Sequence, residues 1–360
     1  MACLIKRPDA TKGVVTFTTQ ERDKLIFQNR ETFEKVIALK EKYVVGLHHN
    51  WHDYGFQWNK VFDFSMAGIG DLGTSQVPLV TLDACNFIPD DCFHPSNGEK
   101  HWDFIYVTRA VYFKRVELFF STVKQIYSTG RRPKVLLICC VPPEDATPSN
   151  VTQVFMNTFT QEERKHFTFI PLEHDYPFCL DPATVGHFYR SSKVFVHFAN
   201  DERRCRVVAN AAATEMPIVC MHDPASIIPN ELKRPPYLYI VENDDDYADK
   251  MLKALDEYDE KTDRSSIARH FRTSFTSAEL KRQLKRFLGV ETQEMRNESF
   301  NFNNLDIRLG RHHSISYGPN KVDMSLNKLC EFLMDNDVIN QKWNCMEQDF
   351  EKRIERIESV

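Results

Sequence analysis

The sequence predicts an α/β fold: a doubly wound parallel sheet, preceded by a smaller α/β part and followed by a helical extension. Two observations carry this. Between about residues 101 and 260, short β-prone apolar runs alternate with stretches of helical periodicity, as a parallel sheet with crossover helices requires. One of those runs, Lys134 to Val141 (KVLLICCV), is apolar without interruption, and a strand with no polar face belongs in a sheet covered on both sides.

Each element follows from its local pattern. Residues 1–100 are mixed, with an amphipathic helix expected over Glu31 to Lys42 from Phe33, Val36, Ile37 and Lys40. Tyr43 to Leu47 and Val77 to Leu82 read as strands. From His101 the order is regular: strand Asp103 to Val107, helix Val116 to Tyr127, a break at Gly130 and Pro133, and strand Lys134 to Val141. A short helix over Gln161 to His166, strand Phe167 to Pro171 and helix Pro182 to Ser191 come next. Strand Lys193 to Phe198 leads into an alanine-rich helix over Glu202 to Thr214, then strands Pro217 to Met221 and Tyr237 to Val241 and helix Asp245 to Tyr258. Beyond Glu291 asparagine becomes dense, and Ser325 to Ser359 reads as one or two charged amphipathic helices. Three regions result: 1–100, 101–290 and 291–360.

Composition narrows the function classes. The net charge of -5 gives no basic field to recruit nucleic acid. The ten cysteines form no C-x-x-C pair, and Cys139-Cys140 close an apolar run, which suits buried thiols in a reducing compartment. The N-terminus has no apolar signal core, and no run approaches the ~20 residues that span a bilayer. A cytoplasmic protein is expected, with peripheral membrane contact left open and the oligomeric state unspecified.

Doubly wound sheets bind ligands outside the carboxyl ends of their strands. Functional residues are therefore expected just after Val107, Val141, Pro171, Phe198 and Met221. Thr108-Arg109 follow the first of these strands and Lys114 stands five residues on; a planar guanidinium and a mobile ammonium so placed can grip a diphosphate. Asn200-Asp201-Glu202 follow the strand KVFVHF, and Asn210 lies eight residues beyond Glu202, on the same face of the expected helix. That face offers a carboxylate and an amide to sugar hydroxyls. Taken alone, each group fits a solvated loop or a helix cap at least as well.

Their order resembles the C-terminal, donor-binding half of GT-B glycosyltransferases, above all the retaining group called family 4. Asn86-Phe87-Ile88-Pro89 with Phe93-His94-Pro95, then Thr108-Arg109 with Lys114-Arg115, then ERRCRVVANAAATEMPIV over Glu202 to Val219 stand where that group has its motifs, over roughly residues 84–285. The resemblance implies a Rossmann-like nucleotide-sugar domain and a sugar transferred with retention. Arg109 and Lys114 would clamp the leaving diphosphate without a metal, Glu202 would stand beside the donor sugar, and Asn210 would hold the ribose. Thr108, Asn200, Asp201 and Pro171 would complete the donor side. The partners implied are a nucleotide-diphosphate sugar, which is substrate rather than cofactor, and a glycan or other hydroxyl acceptor. The sequence departs from the pattern at Thr108, at Cys139-Cys140 and at Glu215-Met216, where the group has glycine, and at Asn210, where it has glutamate. Those departures, with a reduced acceptor half, define a second reading: a degenerate GT-B domain that binds a nucleotide or glycan, or scaffolds a partner.

Other motifs carry less. Gly68-Ile69-Gly70-Asp71-Leu72-Gly73 matches G-x-G-x-x-G, yet no clear strand precedes it and no helix follows. A loop beside the cleft is expected there, with Gly68 and Gly70 at hand for donor or acceptor. His48, His49 and His52 beside Asp53 read as a polar cleft wall on the acceptor side rather than a metal site. Asp244-Asp245-Asp246 read as a helix cap.

Overall fold

The computed structural model describes residues 3–49, 59–67, 78–141, 151–173, 180–290, 295–310, 325–337 and 339–340. The chain folds as two compact units, Met1–Ala67 with Gly73–Ala84 and Glu279–Val360, and Gly68–Leu72 with Cys85–Ala278.

The first unit holds a five-stranded sheet whose spatial order is its chain order: β1 (Cys3–Lys6), β2 (Gly13–Thr18), β3 (Tyr43–His48), β4 (Phe64–Met66) and β5 (Leu79–Val80). β1 runs antiparallel to β2, and the remaining pairs are parallel. The expected strands near residues 43 and 79 are present; β1, β2 and β4 are additions, and β4 is a strand just before Gly68, where the sequence showed none clearly. The β-branched run Val14-Val15-Thr16 behind Gly13 is the sequence signal of β2, buried throughout. The helix Arg30–Leu39, capped by Asn29, lays Val36 and Leu39 on Val15, Phe17, Val45 and Leu47. Leu326, Leu329, Cys330 and Leu333 of the helix Leu326–Met334 complete this core. The described part of the C-terminal tail is thus built into the first unit.

The second unit is a six-stranded, wholly parallel sheet of β6 (Trp102–Arg109), β7 (Val135–Val141), β8 (Phe167–Glu173), β9 (Ser192–Val196), β10 (Ile218–Cys220) and β11 (Leu238–Ile240). Its order, β11-β10-β9-β6-β7-β8, is the doubly wound 3-2-1-4-5-6 arrangement read from the other edge. Alternation along β6 shows why both faces are covered. Phe104 and Tyr106 enter one core, and Ile105 enters the other. The first core is rich in aromatics, with Phe119 and Phe120 of the helix Val116–Ser128 meeting Phe155, Phe159 and Phe167. The second takes the helix Arg206–Ala213, whose buried Ala209, Ala211, Ala212 and Ala213 let it lie close to the sheet.

Boundaries moved where sequence periodicity is blind to backbone sign. The alanine-rich helix begins at Arg206, not Glu202, because Arg204 sits at φ +52°. Glu215 takes φ +62° just past the helix end, the left-handed place that glycine normally fills. The Arg272 guanidinium holds its carboxylate at 2.8 Å. No described helix is long and apolar enough to cross a membrane.

Candidate active site

In a doubly wound sheet the ligand crevice opens where the strand order reverses, here between β6 and β9. Both strands deliver polar side chains there. Arg109 closes β6 opposite Cys140 of β7. The chain then turns through Ala110, whose N–H donates to the Cys140 carbonyl at 2.8 Å, into a single 3-10 turn, Tyr112–Lys114. The buried Tyr106 hydroxyl donates to the Lys114 carbonyl at 2.6 Å and fixes that turn from beneath. Arg115 adopts φ +55° and opens the helix Val116–Ser128; its guanidinium pairs with Asp244 and lies 3.4 Å from the Met221 sulfur. The loops after β6, β10 and β11 are thereby tied together.

From β9 come His197 and, through a non-helical loop, Glu202. The Lys114 ammonium donates to Oε2 of Glu202, both side chains being mostly buried. The His197 imidazole, wholly buried, places Nε2 at 2.7 Å from the same oxygen. Burial pushes the Glu202 carboxyl up, but the His197 hydrogen bond and the Lys114 charge outweigh it and hold the group below the usual glutamate range. Burial lowers His197, against the pull of Glu202. The Cys205 thiol, pushed well up by burial, lies 3.4 Å from His197 Nε2. Thiol and carboxylate face the same ring nitrogen, so the imidazole cannot relay a proton between them as a nucleophilic triad would.

His197, Glu202 and Cys205 are the group, among the described residues, with metal-ligand chemistry, their ligand atoms lying within 4.8 Å of one another. The Lys114 ammonium on the same carboxylate already supplies the positive charge a cation would bring there. The arrangement is that of a carboxylate held by hydrogen-bond donors.

The other expected residues are placed as follows. Thr108 is the penultimate residue of β6, beside Arg109. Asn200 and Asp201 are exposed on the loop between β9 and Glu202. Asn210 lies in the helix Arg206–Ala213, buried, with its side chain against the Tyr189 hydroxyl and its Oδ1 without a hydrogen-bond partner. The helical spacing expected to join it to Glu202 does not hold, since Glu202 precedes the helix and the left-handed Arg204 intervenes. Pro171 stands inside β8, which runs on to Glu173 at the edge of the sheet, rather than at a strand's carboxyl end. His48 ends β3 and His49 follows, both buried, in the first unit. His52, Gly68 and Gly70 lie outside the described residues. Sequence reading missed His197 and Cys205. The signal available was a histidine directly after a strand, five residues before an acid, as in His197 and Glu202.

The architecture has counterparts among solved structures. Over 71% of this chain and 55% of the other, at 11% identity, it superposes on the structure of the GtfA/B complex with a TM-score of 0.50. This is a GT-B glycosyltransferase fold. The pneumococcal O-GlcNAc transferase GtfA, solved with UDP and GlcNAc, matches at 13% identity and TM-score 0.47 over 72% of this chain and 55% of that one. The sucrose-phosphate synthase of Thermosynechococcus elongatus matches at 13% identity and TM-score 0.45 over 69% and 70%. The chain spans about half the length of the first two. No protein-family model and no curated protein matches it. The Lys114–Glu202 pair stands at the switch point of the second unit's sheet.

Proposed function

We propose that this GT-B chain is a glycosyltransferase, moving a sugar from a nucleotide-diphosphate donor to a hydroxyl acceptor with retention and without a metal. The observation that carries this reading is the meeting of Lys114 and Glu202 at the β6/β9 reversal. A leaving diphosphate needs positive charge, and Lys114 and Arg109 both come from the carboxyl end of β6. In the helix Arg206–Ala213 the Val208 N–H faces the Cys205 sulfur, and the amides before it have no side-chain cap and can receive a phosphate. Glu202, ionised at neutral pH, is suited to accept from sugar hydroxyls. Asn210, through its unpartnered Oδ1, would take a ribose hydroxyl, and Thr108, Asn200 and Asp201 would line the donor side. In such a mechanism the acceptor oxygen enters on the face the phosphate leaves. Preorganised cations stabilise the growing charge by a few kcal/mol (about 3 to 4) for each well-placed donor.

A second reading keeps the fold and drops the chemistry: a binding module that holds a nucleotide or glycan. The full engagement of Lys114 by Glu202 favours it, since a phosphate must first draw the ammonium away. Release of nucleoside diphosphate from a panel of UDP-, GDP- and ADP-sugars separates the two. Turnover that falls by about 100-fold or more in Lys114→Ala, with the fold retained, supports the enzyme. Binding of UDP without turnover of any donor supports the module.

A further inference from the structure

His197 takes no part in the reading above, yet it is wholly buried and packed at the centre of the cluster. Its backbone N–H donates to the Val219 carbonyl at 2.9 Å, and its backbone carbonyl accepts from the Tyr247 hydroxyl at 3.0 Å. Its ring stacks on Phe195, centroids 6.1 Å apart, and meets the Tyr106 ring edge-on at 5.7 Å. The ring is wholly buried between these two neighbours. One nitrogen, Nε2, faces Oε2 of Glu202 at 2.7 Å; the other, Nδ1, is buried with no hydrogen-bond partner. That asymmetry selects the tautomer. A proton on Nδ1 would be an orphaned buried donor, whereas a proton on Nε2 has a carboxylate to receive it. The same asymmetry opposes a second proton, which would have to sit on Nδ1. The titratable groups facing the ring are Glu202, Lys114, the Cys205 thiol and Tyr106, and Tyr247 meets the backbone carbonyl of His197.

We propose that His197 is a positioning residue, neutral and locked with its proton on Nε2, which holds the Glu202 carboxylate in place when Lys114 turns to an incoming phosphate. The role during phosphate binding rests on the glycosyltransferase reading; the locked tautomer rests on the geometry alone. Lysine carries a compact charge on a flexible stem and can exchange one anion for another. Glu202 sits on a loop, and without a second anchor its carboxylate would follow the departing ammonium. The buried imidazole cannot follow. Because it stays neutral, it leaves the carboxylate its full charge for the sugar.

Two variants and one spectrum test this. His197→Phe keeps the stacked ring and removes the donor; His197→Gln places an amide N–H near the position of Nε2. Long-range proton–nitrogen spectra of the wild type should show His197 protonated on Nε2 alone, and still neutral below the ordinary histidine range of about 6.5. Carbon spectra should show Glu202 ionised at about pH 4 in the wild type and in His197→Gln, and partly protonated in His197→Phe. With a donor identified from the panel, His197→Phe should lower kcat on the order of 100-fold while UDP binding, by titration calorimetry, changes little. His197→Gln should restore most of kcat. An Nδ1–H tautomer, an imidazolium at neutral pH, or unchanged Glu202 ionisation in His197→Phe overturns the proposal whatever the activity. The expected spectra with no turnover of any donor overturn the glycosyltransferase reading and leave the locked tautomer standing.

Discussion

At Glu202 two donors converge on one oxygen, and the carboxylate remains charged into acid as a result. Burial works against this ionisation, while the His197 hydrogen bond and the Lys114 charge more than reverse it and hold the group below the usual glutamate range. The group is thus more acidic folded than unfolded, where a glutamate titrates near 4.3. The native state gains stability from it fully above that unfolded value and loses it as pH falls through the lowered folded value. Glu202→Gln should therefore cost about 1–3 kcal/mol in urea unfolding at neutral pH, and the gap to the wild type should close as pH drops below about 4.5. A gap independent of pH would show that the charge plays no part. Lys114 and Glu202 were readable from the sequence because their order along the chain matches a known pattern. His197 was not, because inside KVFVHF it looks like one more strand residue. Only the turn after β9, which folds Glu202 back over the strand end, gives that ring a partner.

Elements were readable by type, and their ends less so. The helix Pro182–Arg190 shows both. Asp181 caps it, accepting from the Thr184 N–H at 2.9 Å, and Pro182 opens it, signals that stand in the sequence. Gly186 in its middle has a reason that the sequence conceals. A Cβ there would press on the Cys92 carbonyl oxygen and lie 2.9 Å from the carbonyl carbon. Arg190 donates to that same carbonyl, so the contact is backbone against helix, with no flexible side chain to yield. Helix propensity alone favours Gly186→Ala by about 1 kcal/mol. Overpacking against backbone opposes it by about 1–3 kcal/mol, so the variant should be less stable in urea unfolding. A more stable variant would mean that the segment bearing Cys92 moves aside freely. Glu202 to Cys205 teach the opposite lesson: helical periodicity extends through them in sequence, and one left-handed residue, Arg204, keeps them out of the helix.

For the whole molecule, alternation of strands and helices announces a parallel sheet but leaves strand order open, because order is set by pairing between distant segments. The structure supplies the reversal between β6 and β9, and with it a ligand position that can be tested apart from any reaction. A ligand bound only by the folded state stabilises it by RT ln(1 + [L]/Kd), about 2.7 kcal/mol at a hundredfold excess over Kd. UDP in such excess should raise the melting transition of the unit that holds the crevice. It should also slow amide hydrogen exchange after β6, after β9 and in the first turn of the helix Arg206–Ala213. Lys114→Ala should lose most of both effects, since its ammonium is one of the charges the diphosphate would meet. Protection appearing instead after β3, around His48 and His49, would place nucleotide on the other sheet, and the assignment of the β6/β9 crevice as the donor site would fall.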